Sequence, residues 1–247
     1  TIPANGYTVF YQSNSFGLDA NSFGGTNAFA LSSKGEAVHL FSADALGNLT
    51  GWASGFSFGP QVNGATFGRH VISTGEERFV TQSTPTLGAA NSGPKVGPIV
   101  ISEISYHPPD IQGVRETFDN SVDEYIELQN ISGASGPLYD PLNPANTWRL
   151  RDAVDYTFPA GVVLPPGGYA LVVSFDPADN AALVAFRNNN GVAPGTPIYG
   201  PWNGQLDNSS DSIELVQPDL PDPVGTPTAG FVASILADKV AYQDLLP

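Results

Sequence analysis

Apolar and polar residues alternate in short runs along most of the chain, and the runs close on Pro, Gly, Asn or Asp. PIVISEISYHPPD, from Pro98, is followed by DEYIELQNIS, from Asp123, and by WRLRDAVDYTFPAGVVLPPGGYALVV, from Trp148. A period of two sends successive side chains to opposite faces, so these runs predict half-buried strands. Many short strands with turn residues between them predict an antiparallel β-sandwich architecture. The pattern places strands at 7–11, 37–41, 53–58, 65–72 and 78–82, and again at 100–106, 123–130, 148–150, 156–158, 169–174, 212–216 and 238–243. Between these two groups, the segment Ser92 to Pro98 (SGPKVGP) reads as a short stiff linker. One helix is predicted over 178–188, with Asp176 as its cap and Pro177 in the first turn. Asp179 suits the positive end of that helix, Arg187 the negative end, and Asn190-Gly191 the stop.

The two groups of strands share wording. TIPANGYTVF, from Thr1, aligns with VLPPGGYALV, from Val163. LSSKGEAVHL, from Leu31, aligns with LDNSSDSIEL, from Leu206, and GFSFG, from Gly55, aligns with KVAYQ, from Lys239. The order is kept while the spacing between copies grows, as expected of a repeat whose loops have lengthened. The inserted helix has its counterpart in the Gly/Ser-rich stretch 14–26, so the second copy has gained an element.

The order of motifs after Gly97 resembles the lamin-tail domain, an immunoglobulin-like β-sandwich common in secreted bacterial proteins. The matching residues are Ile101, Glu103 and Ile104; Glu124, Ile126, Glu127, Leu128 and Asn130; Trp148, Leu150 and Asp152; Tyr156 to Gly161; and Pro165 to Val173. The resemblance implies a mostly β chain of two tandem, partial modules. Residues 1–92 would be the later part of a first module, closing on PTLGAAN (Pro85 to Asn91), and 97–247 a second module lacking its last strands. Both chain ends then fall inside a module. Either the chain is an excerpt from a longer multi-module protein, or the missing strands are supplied by a neighbouring chain or by the other half of this one. Missing strands leave unpaired backbone groups along sheet edges, which accept a strand from outside. The assembly edges are expected at Tyr7, Thr8, Val9 and Tyr11 and at Val240 and Tyr242.

Composition narrows the function. The chain has 247 residues, 41% of them hydrophobic, which suits one large or two small folded domains. Its 24 acidic and 9 basic residues give a formal charge of −15. Phosphate backbones are repelled by such a surface, which argues against nucleic-acid binding. No apolar run reaches the roughly 18–20 residues that span a bilayer. With no Cys, neither disulfides nor thiolate metal sites form.

The candidate chemistry is sparse. Acidic residues gather around Asp110, Glu116, Asp119, Asp123 and Glu124, and again around Asp207, Asn208, Asp211 and Asp219. Hard cations take several oxygen ligands, so Asp119, Asp123 and Asp211 are the candidate Ca2+ ligands, although their spacing matches no standard calcium loop. Tyr199 and Trp202, in the loop after the helix, are candidate sugar-stacking residues. Glu124 and Glu127 lie three apart on a strand and so point to opposite faces, unlike a glycosidase pair. The three histidines, His39, His70 and His107, are far apart in sequence. With no Gly-x-Ser-x-Gly elbow and no HExxH motif, the expectation is a non-enzymatic chain without a required cofactor. What the resemblance implies is a bacterial extracellular or cell-surface module for attachment, spacing or assembly, partnered by copies of itself or by neighbouring modules. The alternative is a carbohydrate- or Ca2+-dependent binding module attached to a secreted enzyme.

Overall fold

A computed structural model of the chain describes residues 2, 4–12, 15 and 30–244. The chain divides into two units, Thr1–Lys95 and Val96–Pro247, inside the predicted linker. It is mostly β, in several small and mainly antiparallel sheets, with one short α-helix.

The first unit contains two hairpins. Strands β1 (Glu36–Ala43) and β2 (Leu49–Phe58) pair antiparallel, as do β3 (Phe67–Val71) and β4 (Glu77–Thr81). Aromatic rings join the hairpins: Phe56 stacks on Phe79 with centroids 3.7 Å apart, and Phe58 lies 5.7 Å from Phe67. Among the described residues of this unit, no apolar side chain larger than glycine is fully buried. Val38, Leu40, Phe41, Leu49 and Trp52 of the β1–β2 hairpin are exposed. The strand expected over 7–11 does not form: these residues join no ladder, and Tyr7, Thr8 and Tyr11 are exposed, with Val9 half-buried. A strand needs neighbours for its backbone groups, and among the described residues this segment has none.

The second unit is built from two larger sheets. The first has four strands: β5 (Ile99–Ser105), β6 (Tyr125–Asn130), β9 (Tyr169–Val173) and β10 (Ile198–Tyr199). They lie in the order β10-β9-β6-β5, and only the β9–β10 pair is parallel. The second has five strands: β7 (Arg149–Asp152), β8 (Val154–Thr157), β11 (Asn203–Gly204), β12 (Ser210–Pro218) and β13 (Ser234–Gln243). Their order is β11-β8-β7-β12-β13. Both sheets contribute to one hydrophobic core. Ile99, Ile126, Leu128, Ala170 and Val172 come from the first, and Leu150, Val154, Ile213 and Leu215 from the second.

Alternation explains which residues enter that core. Along β6, Ile126, Leu128 and Asn130 are buried while Tyr125, Glu127 and Gln129 are only partly covered. Strand β9 is buried on both faces, because Leu171 and Val173 pack against Phe186 of helix α1 (Asn180–Asn190). The helix stops at Gly191 in the left-handed region, φ 65°, as predicted. Its cap is Asp179, not Asp176: the Asp179 carboxylate accepts from the Ala181 and Ala182 N–H groups. Asp176 instead accepts from Ala178 N–H in the preceding turn.

The repeated segments fold alike. In the sequence alignment Val38 matches Ile213 and Phe56 matches Val240; in the structure Val38 faces Phe56, and Ile213 faces Val240. His39 faces Gly55 as Glu214 faces Lys239, so the two hairpins share a register. Their surroundings differ. Strand β12 has β7 on its far side, with Leu215 opposite Leu150, and Ile213 and Leu215 are fully buried. Strand β1 has no strand on its far side among the described residues, and Leu40, the match of Leu215, is 52% exposed.

Asn130 holds the end of β6 in the core. It is fully buried, and its amide donates to the Ala134 and Leu164 carbonyls while its oxygen accepts from Ser132 N–H and hydroxyl. Replacing it with Ala strips partners from a buried carbonyl and removes the turn's anchor. We expect Asn130→Ala to cost about 2–4 kcal/mol in urea-monitored unfolding of the second unit. A cost below about 0.5 kcal/mol would contradict this role.

Candidate functional site

Several of the acidic residues read from the sequence, Asp110, Asp119, Asp207 and Asp211, come together at one end of the second unit. The loop between β5 and β6 carries His107, Asp110 and Asp119, and one ligand atom from each lies within 4.8 Å of the others. Strand β5 runs out at Ser105, and Tyr106 then stacks on Tyr242 of β13 at 4.2 Å, which fixes the start of the loop. Across from it, the segment preceding β12 contributes Asn208, whose amide donates to Asp119 Oδ1 at 3.0 Å. An open cavity of about 610 Å³ lies here, lined by His107, Gln205, Asp207, Asn208, Ser209, Asp211 and Asp244.

Glu124 sits beside this cluster and is almost fully enclosed, 1% exposed. The Leu206 N–H bonds to its carboxylate, and Oε1 has no partner. Burial, followed by repulsion from Asp119, pushes its carboxyl up to about 7. The Tyr242 hydroxyl is also buried without a partner. Burial first, then the charges of Asp211, Glu124 and Asp207, raise its pKa. Asp207 is shifted the other way, because the Ser209 hydroxyl and the Ser209 and Ser210 N–H groups bond to its carboxylate.

Two of the three candidate cation ligands therefore share a region, and one does not. Asp119 joins His107 and Asp110, and Asp211 lines the cavity with His107. Asp123 faces elsewhere, where its carboxylate accepts from the Asn120 and Asn189 amides and so ties the 3-10 turn Ser121–Asp123 to helix α1. Glu124 was read from sequence as one of the acidic residues and His107 as an isolated histidine, and neither was among the candidate ligands. A parity signal existed for Glu124: it shares the inward phase of Ile126, Leu128 and Asn130, all buried. His107 had only a weak one, its position three residues before Asp110 at a Pro-Pro turn.

The aromatic candidates turn inward. Trp202 is 5% exposed and belongs to the main core, and Tyr199 packs against that core with its ring edge-on to Phe158 at 5.7 Å. The cause is that β10 runs parallel beside β9, with Tyr199 opposite Val172, and the Trp202 N–H bonds to the Val173 carbonyl. Trp202 therefore offers almost no ring surface to a sugar, and Tyr199 is partly covered.

Val240 and Tyr242 do lie on an edge strand, since β13 is the last strand of its sheet. Both pack partly against the core, and the edge is interrupted nearby. The Asp238 carboxylate accepts the Ile101 N–H of β5 at 2.9 Å. Each strand breaks register at this point, between Ile101 and Glu103 in β5 and opposite Leu215–Val216 in β13. Bulges and an inserted carboxylate blunt edges against further pairing. Glu103 and Glu127 accept from the Tyr125 and Ser102 hydroxyls. Arg149 pairs with Asp155, and Arg151 with Glu214.

No known family model matches the chain, and no curated protein matches it. Among solved structures it is similar to a DUF4876 family protein from Bacteroides thetaiotaomicron, at 12% identity and a TM-score of 0.34. That match covers 83% of this chain and 72% of the other. Among the described residues, no helix is long and apolar enough to cross a membrane.

Burying Glu124 makes stability depend on pH. Its folded pKa is raised above the unfolded value, so the folded state holds an extra proton between about pH 4.5 and 7. Stability therefore falls as pH rises through that window and stays lower above it. In chelator-containing buffer the second unit is expected to be more stable at about pH 5 than at about pH 8, by roughly 2 kcal/mol from this group. Glu124→Gln should remove most of that difference in thermal melts; an unchanged difference in the variant would contradict the assignment.

Proposed function

We propose that this chain is a non-catalytic structural module of a bacterial surface or secreted protein. In this reading both units are lamin-tail-like, immunoglobulin-type β-sandwich modules, and the first completes its sheet with strands from a neighbouring chain or module. The observation that carries the reading is the matched pair of hairpins. β1–β2 has the register of β12–β13 up to Leu40 and Leu215, but among the described residues it has no counterpart of β7, and Val38 and Leu40 are exposed where Ile213 and Leu215 are buried. An incoming strand beside β1 would pair its backbone as β7 pairs β12, and further strands packed on that face would cover Leu40 as the opposing sheet covers Leu215. Such pairing joins unlike surfaces, so repeated copies build a ring or an open filament.

The alternative, a binding module on a secreted enzyme, is supported only in its cation half, by the acidic cavity. The inward packing of Tyr199 and Trp202 counts against stacking on sugar.

Light scattering on the purified chain tests the reading. Across a roughly hundredfold concentration range we expect growth beyond the monomer mass, and Leu40→Lys should abolish it by placing a charge on the pairing strand. A monomer at every concentration, or growth that Leu40→Lys leaves intact, would contradict it.

A further inference from the structure

His107, Asp110 and Asp119 are exposed, and their ligand atoms converge to within 4.8 Å of one another. Bonds of about 2.3 Å hold two ligand atoms of one centre at most about 4.6 Å apart, so a small closing movement of these exposed side chains brings all three onto one ion. Among the described residues no hydrogen bond links the three, and the ion pairs of this unit lie on Arg149, Arg151 and Lys239 instead. Among the described residues neither carboxylate has an ion-pair partner. The Asn208 amide orients Asp119 through Oδ1, as outer hydrogen bonds orient metal-binding side chains.

The independent observation is Glu124. This carboxylic side chain is 1% exposed, has one oxygen without a partner, and lies near enough to Asp119 for the two charges to interact. Buried polar atoms are normally satisfied, and a cation held by Asp119 would supply the missing positive charge. The imidazole decides which cation. Ca2+ and Mg2+ favour all-oxygen surroundings, whereas a ring nitrogen with carboxylates suits first-row transition metals.

We propose that His107, Asp110 and Asp119 bind one divalent transition-metal ion of the Zn2+ or Mn2+ type, beside the buried Glu124 carboxylate. All three ligands come from the segment between β5 and β6, so the ion fastens that loop, including its small ladder Ile111–Gln112 with Thr117–Phe118. The Ca2+ expectation from sequence is thereby changed in both metal class and ligand set: Asp119 stays, Asp123 leaves, and Asp211 becomes a residue of the adjoining cavity.

The test is calorimetric titration of the chelator-treated chain with ZnCl2, MnCl2 and CaCl2, with Co2+ absorption as a direct readout of imidazole ligation. One ion per chain is expected, with Zn2+ or Mn2+ bound at least about tenfold more tightly than Ca2+. His107→Ala, Asp110→Asn and Asp119→Asn should each weaken binding by about tenfold or more. Asp123→Asn should leave it unchanged. These ligands are exposed, so the variants should melt like the parent chain in chelator; if one does not, the other two carry the comparison. Uptake absent for both Zn2+ and Mn2+, uptake that survives the ligand substitutions, or a preference for Ca2+ would overturn the proposal.

Discussion

A β-strand is secure only when its backbone edge and its apolar face are both covered, and this chain holds one hairpin in two different states of cover. In the second unit, β12 lies between β7 and β13, and Ile213 and Leu215 lie under the opposing sheet's Ile126, Leu128 and Val172 in one core. Burying such side chains contributes about 1.5–3 kcal/mol each. In the first unit the same register is held by the β1–β2 ladder and by rings such as Phe56 on Phe79. The backbone pairing is equivalent up to Leu40 and Leu215, and the burial is not. The shared register thus survives both a different connection and a different burial, while stability comes from what packs on the strand pair.

The second unit also shows how it ends its sheets. Asp238 takes the Ile101 N–H between two edge strands, each with a register break, so the gap between the sheets is closed by a side chain and not by another strand. On the outer face of the five-stranded sheet, Arg151 and Lys239 converge on Glu214, and Lys239 also meets Asp152. At the acidic end of the unit no ion pair is made among the described residues. Burial, and then the charge of Asp119, raises the Glu124 pKa, and burial, then Asp211, Glu124 and Asp207, raises that of Tyr242. A bound cation would reverse that balance.

Much of the second unit was legible from alternation alone. Strands β5, β6, β9, β12 and β13 overlap their predicted spans, and the phase of Ile126, Leu128 and Asn130 foretold which side faces the core. The repeat foretold the shared register of β1–β2 and β12–β13. Failures came where a local pattern needed a distant partner. TIPANGYTVF reads like β9, but β9 is a strand because β6 and β10 flank it. Trp202 looked like a loop aromatic, and parallel pairing of β10 beside β9 drew it into the core. Asp123 and Asp119 sit four residues apart, yet the 3-10 turn between them sends Asp123 to helix α1. His107 joins Asp119 only because the β5–β6 loop folds back on itself, and no spacing rule encodes that.

The most direct test of the central claim is backbone hydrogen exchange along Glu36–Ala43, compared with Ser210–Pro218, in dilute and in concentrated protein. With the open edge described, β12 amides stay protected in both conditions. The β1 amides that face away from β2 exchange quickly when dilute and slow markedly when concentrated. Equal protection of β1 in both conditions, at the level of β12, would show that its edge is already covered within the single chain and would contradict the account.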